Sequence, residues 1–247
     1  MSEALLSARD LRIGFGGVIA ADGVNLEVSR DERLAIIGPN GAGKTTFINI
    51  CTGYLTPLKG SVRFDGQTIT GRPPRAIARL GIGRAFQVPQ LFVNDTTLDN
   101  MLLAVASRDR SWQPWRRLGS AAQRLEMLEL LDLLGVADVA DRIIRELPEG
   151  TRKLIDIALA LALSPKLLVM DEPTSGVSTA DKFAVMETLM HALDTRGITT
   201  IFVEHDMDIV RAHSDRVVVW TSGKIFAEGT PADVLSDPRV IATVIGV

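Results

Sequence analysis

The run Gly38-Pro39-Asn40-Gly41-Ala42-Gly43-Lys44-Thr45 constrains this chain more than any other feature. It follows a short apolar stretch, 34–37, that reads as a buried strand, and it opens a segment, 45–52, that reads as a helix. Glycines in that setting let backbone N–H groups turn inward around phosphates, and the helix N-terminus adds partial positive charge. Lys44 is placed to reach the β- and γ-phosphates, the Thr45 hydroxyl to ligate Mg2+, and Thr46 to continue the cradle. A strand–loop–helix of this kind commits the chain to an α/β fold with a nucleotide site. By itself it does not choose between hydrolysis, transport and kinase activity.

The rest of the chain is consistent with that commitment. Alternating apolar positions at 5–13 and 24–28 predict strands, with Gly14, Gly16 and Gly17 supplying a turn between them. Residues 61–64 followed by Asp65-Gly66 predict a hairpin. From about 73 to 163 the pattern is mostly helical, with Leu125, Leu128, Leu131 and Leu134 at helix spacing. Strands are then expected at 166–170 and 199–203, helices at 181–194 and 207–213, and a closing hairpin at 216–228. Pro231 and Pro238 each mark the first position of a short helix. The fold class expected is α/β: a central, mostly parallel sheet, an antiparallel β region at the N-terminal side and an inserted helical subdomain at about 88–163.

A second acidic motif lies at Leu167-Leu168-Val169-Met170-Asp171-Glu172-Pro173. An apolar strand ending in Asp-Glu puts two carboxylates at a strand's C-terminal edge, where α/β sheets bind ligands. Asp171 suits Mg2+, generally through water. Glu172 suits the orientation and polarisation of an attacking water.

Those residues, together with Gln87, Leu147-Pro148-Glu149-Gly150-Thr151 and His205 in that order, resemble the ATP-binding subunits of ABC transporters over essentially the whole chain. The resemblance implies a P-loop NTPase fold, ATP and Mg2+ as cofactors, and pairing of two nucleotide domains head to tail. It implies that Gln87 contacts Mg2+ or the lytic water, that His205 sits beside the γ-phosphate and that Phe15 stacks on adenine. It assigns Pro148, Glu149 and Gly150 to the segment facing the partner's ATP. Here the chain departs from the family's Leu-Ser-Gly-Gly-Gln: Pro148 replaces the serine, Glu149 the first glycine and Thr151 the glutamine. Ser178 also replaces the usual aspartate of Ser175-Gly176-Val177-Ser178. The helix expected from Thr151 still offers its N-terminus, but without a serine hydroxyl.

The segments 18–26, Ile69-Thr70-Gly71, 79–87 and 237–241 look like the branched-chain amino acid import ATPases, with importers of urea or short amides sharing those traits. That likeness implies transmembrane permease subunits and, indirectly, a periplasmic binding protein as partners. It implies a second ATP-binding subunit, with a heterodimer expected and a homodimer the alternative. The location implied is peripheral, at the cytoplasmic face of the inner membrane. The competing class is a soluble ABC-type ATPase of a non-transport assembly complex. A formal net charge of −3, from 27 Lys+Arg and 30 Asp+Glu, gives no reason to expect nucleic acid. The longest apolar run, 157–163, falls far short of the ~18–20 residues of a membrane span. One cysteine, Cys51, builds no disulfide framework, and no Cys/His cluster has metal-ligand spacing. With no signal-like pattern at Met1-Ser2-Glu3-Ala4, a soluble, reducing-compartment chain is expected, anchored by other subunits. The stretch 108–117, rich in Arg and Trp, is open to two readings: a solvated loop, or a contact with headgroups or a membrane subunit.

Overall fold

The computed structural model describes residues 4–110, 118–178 and 181–244. Strand β1 (Leu6–Phe15) and β2 (Val18–Val28) form an antiparallel hairpin, joined to β4 (Lys59–Phe64) and β5 (Gln67–Thr68) in the order β2-β1-β4-β5. A six-stranded sheet adds β3 (Arg33–Ile37), β6 (Ile82–Ala85), β7 (Leu167–Asp171), β8 (Thr199–Val203), β9 (Arg216–Thr221) and β10 (Lys224–Gly229), ordered β10-β9-β3-β8-β7-β6. Its pairs are parallel except the edge hairpin β9–β10.

The helices are α1 (Lys44–Cys51), α2 (Pro74–Leu80), α3 (Thr97–Asp109), α4 (Ala121–Leu133), α5 (Glu149–Ala162), α6 (Lys182–Thr195), α7 (Met207–His213), α8 (Pro231–Ser236) and α9 (Pro238–Val244). Helices α3 to α5 come between β6 and β7, within the stretch 88–163. Helix α4 is entered through a reciprocal Ser120–Gln123 capping box, which satisfies two backbone donors.

Period-two alternation divides the central sheet between two apolar clusters. Ala35, Ile37, Met170 and Phe202 face the cluster formed with α3 to α7. Leu34, Ile36, Val169, Ile201 and Trp220 face the one formed with α1 and the antiparallel sheet. Burial on both faces explains why β3, β7 and β8 read as continuous apolar runs. Cys51, the last residue of α1, is buried, and burial pushes its thiol pKa up, so it is an inert core residue.

Several boundaries differ from the sequence reading. Strand β2 starts at Val18, not 24, and Gly14 lies within β1, because Gly16 (φ 52°) and Gly17 (φ 91°) alone make the turn between paired Phe15 and Val18. Gly23 then interrupts the strand pattern at φ 71°. Helix α5 starts at Glu149, not Thr151, since the Arg152 N–H already bonds the Pro148 carbonyl at 3.0 Å. Of the Arg/Trp stretch, 111–117 lies outside the described residues. Within the described part, the Arg108 guanidinium ties Asp109, Glu126 and the Ala162 carbonyl, joining α3, α4 and α5.

Candidate functional site

Four neighbouring parallel strands, β3-β8-β7-β6, end on one edge of the sheet. The glycine loop follows β3, Asp171 ends β7, His205 follows β8 and Gln87 follows β6. Residues separated by up to 167 positions in sequence therefore meet by topology alone.

The loop backbone needs glycine at two points. At Gly38 (φ 147°) an added Cβ would lie 2.0 Å from the Trp220 carbonyl. At Gly43 (φ 113°), the N-cap of α1, it would lie 2.1 Å from the Ala20 carbonyl. The loop is thus wedged between β2 and β9, and Trp220, packed on Phe47 at 5.1 Å, forms its floor.

Asn40 to Thr46, Gln87, Asp171 and Glu172 line one cavity of about 220 Å³. Lys44 is buried, and its ammonium donates to the carbonyls of Gly38 (2.6 Å) and Pro39 (3.0 Å). Burial lowers its pKa, while Glu172 and Asp171 oppose that shift. Asp171 is 2% exposed, and its Oδ2 has no hydrogen-bond partner among the described residues. Burial raises its pKa, with the Thr45 hydroxyl and Arg84 acting in the opposite direction. An orphaned buried carboxylate oxygen, a hydroxyl and the exposed amide of Gln87 are hard oxygen donors, which suit Mg2+ better than a soft metal. Among the described residues no cluster of three His, Cys, Asp or Glu could hold a metal alone. That fits a cation that keeps waters and takes substrate phosphates as ligands.

Glu172 adopts φ 53°, a left-handed conformation that costs a non-glycine residue roughly 1–2 kcal/mol. The turn is held by its N–H donating to the Val203 carbonyl at 3.0 Å. It aims the side chain at His205, whose Nε2 lies 3.1 Å from Glu172 Oε1. A carboxylate can only accept, so this contact selects the Nε2–H tautomer and leaves Oε2 for a water. Behind the pair, Glu204 is buried. Its Oε1 accepts from the N–H (3.1 Å) and hydroxyl (2.6 Å) of Thr174, and its Oε2 from the His205 N–H (3.0 Å). A second cavity of about 480 Å³ opens beside Glu172, Gly176, Lys182 and His205.

Phe15, Pro148, Glu149 and Gly150 do not line either cavity. Phe15 ends β1 half-exposed, so it does not cap the core. Pro148 and Glu149 are exposed at the start of α5, where Pro148 is an N-cap without a side-chain hydrogen bond. The Glu149 side chain lies over Gly176, close enough that a Cβ there would sit 3.0 Å from its Cδ.

The sequence reading passed over Lys153, Asp156 and Glu204. Lys153, 1% exposed, donates to the carbonyls of Phe86 (2.7 Å), Gln87 (2.7 Å) and Asp171 (3.2 Å). Asp156 accepts from the Phe86 (2.8 Å) and Gln90 (3.0 Å) N–H groups. Two charges on the apolar face of α5 were the available signal, since polar residues in an amphipathic stripe are buried for a partner.

Residues 21–175 match the family model described as ABC transporter. The chain is 35% identical over 246 residues to the probable branched-chain amino acid transport ATP-binding protein LivG of Archaeoglobus fulgidus, covering 98% of this chain and 95% of that one. It is 33% identical to the high-affinity branched-chain amino acid transport ATP-binding protein LivG of Escherichia coli, covering 100% and 99%. Among solved structures, a nucleotide-free ATP-binding cassette from an ABC transporter superposes with TM-score 0.86 at 33% identity, covering 99% and 100%. An ADP-conformation cassette of an ABC transporter gives 0.84 at 33% identity, covering all of both chains.

Proposed function

This chain belongs to the ABC transporter family as an ATP-hydrolysing subunit, and from that premise we propose that it drives an importer for branched-chain amino acids or a related small polar solute. The observation that carries the reading is the convergence of the phosphate loop, Gln87, Asp171 and Glu172 on one cavity, with His205 touching Glu172. Lys44 and the loop N–H groups hold the phosphates, and Phe15 stacks on adenine. Thr45, Asp171 and Gln87 hold Mg2+, which when bound neutralises phosphate charge. Glu172 polarises water through Oε2 while His205 fixes its other oxygen.

The whole chain, 1–247, acts as one ATP-binding domain whose helical part is 88–163. No helix among the described residues is long and apolar enough to cross a membrane. In the proposed importer, permease subunits hold the protein at the cytoplasmic face of the inner membrane, with a periplasmic binding protein delivering solute. The exposed apolar residues around Gln87 fit that contact: Tyr54, Val88 and Phe92 are each more than half exposed. Arg84 lies against the Tyr54 and Phe86 rings, stiffening the surface.

The exposed Pro148–Glu149–Gly150 segment, outside the chain's own cavity, serves the opposite ATP. Without the serine hydroxyl it gives up a charge-assisted hydrogen bond of roughly 1.5–3 kcal/mol, so a heterodimer with a better-equipped partner is the favoured assembly. The test is ATP-driven uptake of labelled leucine, isoleucine and valine, against urea and short amides, by vesicles carrying the chain with its neighbouring permease genes. ATPase activity is measured for the chain alone and with its partner chain, each with and without Pro148→Ser. Faster turnover in the mixed pair, and a gain from Pro148→Ser in the chain alone, supports the reading. Copurification only with soluble partners and no uptake overturns the importer. Equal turnover in all four samples overturns the heterodimer argument.

A further inference from the structure

Lys153 and Asp156 sit three residues apart on α5, on the helix face turned inward, among Ile155, Ile157 and Ala158. An ammonium has three N–H donors, and here they go to three carbonyls: Phe86, Gln87 and Asp171. The carboxylate of Asp156 divides its two oxygens between the N–H groups of Phe86 and Gln90. Four of these five hydrogen bonds bracket the segment 86–90 from both sides. The fifth binds the last residue of β7, which carries the metal-suited carboxylate.

Packing alone does not call for these charges. A buried ammonium or carboxylate is strongly destabilising unless its bonding is complete, and apolar residues of similar size would pack such a helix with less penalty. Burial pushes the Lys153 pKa down and the Asp156 pKa up, which is the signature of that penalty. What the pair supplies instead is position. The Lys153 ammonium bonds the backbones of Gln87 and Asp171 at once, so it sets the spacing of two residues that must act on one phosphate group.

We infer that Lys153 and Asp156 are positioning residues that pin the segment 86–90 to α5 and hold Gln87 at a fixed spacing from Asp171. This rests on the proposed roles of Gln87 and Asp171 in hydrolysis.

The experiment uses Lys153→Met, Asp156→Asn and the conservative Asp156→Glu in the full chain, alone and with its partner subunits. Affinity for a fluorescent ATP analogue is expected to stay within about 3-fold of the parent. The kcat for ATP hydrolysis is expected to fall about 10–100-fold with little change in KM. Hydrogen exchange at the Phe86 and Gln90 amides is expected to rise at least 10-fold in Asp156→Asn, with α1 amides unchanged, and Asp156→Glu is expected to recover part of the kcat. Faster exchange with kcat within 2-fold of the parent overturns the positioning role. Equal loss of ATP affinity and kcat, with general loss of protection, also overturns it, by showing a merely structural pair. If Lys153→Met does not fold, the exchange and kcat of Asp156→Asn decide the question. Absence of solute uptake by the parent complex would sink the importer reading, yet leave the exchange and kcat results able to judge the pin.

Discussion

Glu172 and His205 touch at 3.1 Å, so their contributions to hydrolysis cannot be independent. Glu172→Gln keeps the side chain's shape but removes the base. It is expected to lower kcat by ~10²–10⁴-fold, about 3–5 kcal/mol of barrier, while ATP still binds and traps the ATP-bound dimer. His205→Ala removes the donor that fixes Oε1, and its loss acts through the same carboxylate. A hydrogen bond to a charged group is worth about 1.5–3 kcal/mol, so the double variant should be less damaged than the product of the single losses by ~10–100-fold. Phosphate release at saturating ATP, by this chain with its partner subunit, gives the three ratios, and nucleotide affinity serves as the control. Single losses that multiply to within about 2-fold of the double would refute the coupling, because that is how independent sites behave. Undiminished turnover in Glu172→Gln would remove Glu172 from the mechanism altogether.

Lys44→Ala removes the ammonium that now occupies the Gly38 and Pro39 carbonyls, and it should lower ATP affinity by ~10-fold or more and abolish ATP-driven uptake. Calorimetric titration with ATP, and uptake by a complex carrying only Lys44→Ala copies of this chain, measure both. Asp171→Asn should separate stability from function. Because burial raises the Asp171 pKa, the folded state holds that proton more tightly than the unfolded chain. Ionised Asp171 therefore costs stability above its raised pKa, and the cost fades as pH falls through it. At neutral pH, Asp171→Asn should raise Tm by about 2–4 °C for each kcal/mol relieved, while Mg2+-dependent ATPase is lost. An unchanged or lower Tm, read by calorimetry across pH 5–8, would contradict that account.

The phosphate loop, the Asp171–Glu172 pair and the strands that carry them were legible because each follows from local chemistry. Glycines at Gly38 and Gly43 answer to carbonyls packed against them, and apolar runs answer to a sheet covered on both faces. Gln87 and His205 were legible through the resemblance to ABC transporter subunits, and the strand order turns their places after β6 and β8 into proximity to Asp171 at the end of β7. Lys153, Asp156 and Glu204 were not legible in the same way. Their partners are backbone groups, and a backbone N–H or carbonyl has no letter in a sequence. The Asp156–Phe86 bond spans 70 residues and would look the same whatever side chain stood at 86. The turn at Glu172 was hidden for a related reason: its left-handed φ is imposed by the bond to the Val203 carbonyl, against the preference of a glutamate.

The departure at Pro148 takes on a different meaning once these contacts are known. In sequence, Glu149 looks like a charge aimed at the opposing phosphates, where it would repel them. In the structure its side chain lies over Gly176, in the loop that follows Glu172, and Gly176 has φ 78° and no side chain to prevent that approach. The carboxylate therefore lies beside the loop that follows Glu172, and the N-terminal N–H groups of α5 remain the feature suited to an anion. Proline as the N-cap costs no donor that the helix needs, because the N-cap N–H lies outside the helical ladder, and the Pro148 carbonyl still accepts from Arg152. What the substitution gives up is one hydroxyl, not the helix end. That is why the weakness proposed for this chain's signature segment is one of rate, which a partner subunit can offset, while the Lys153–Asp156 pin behind it is intact.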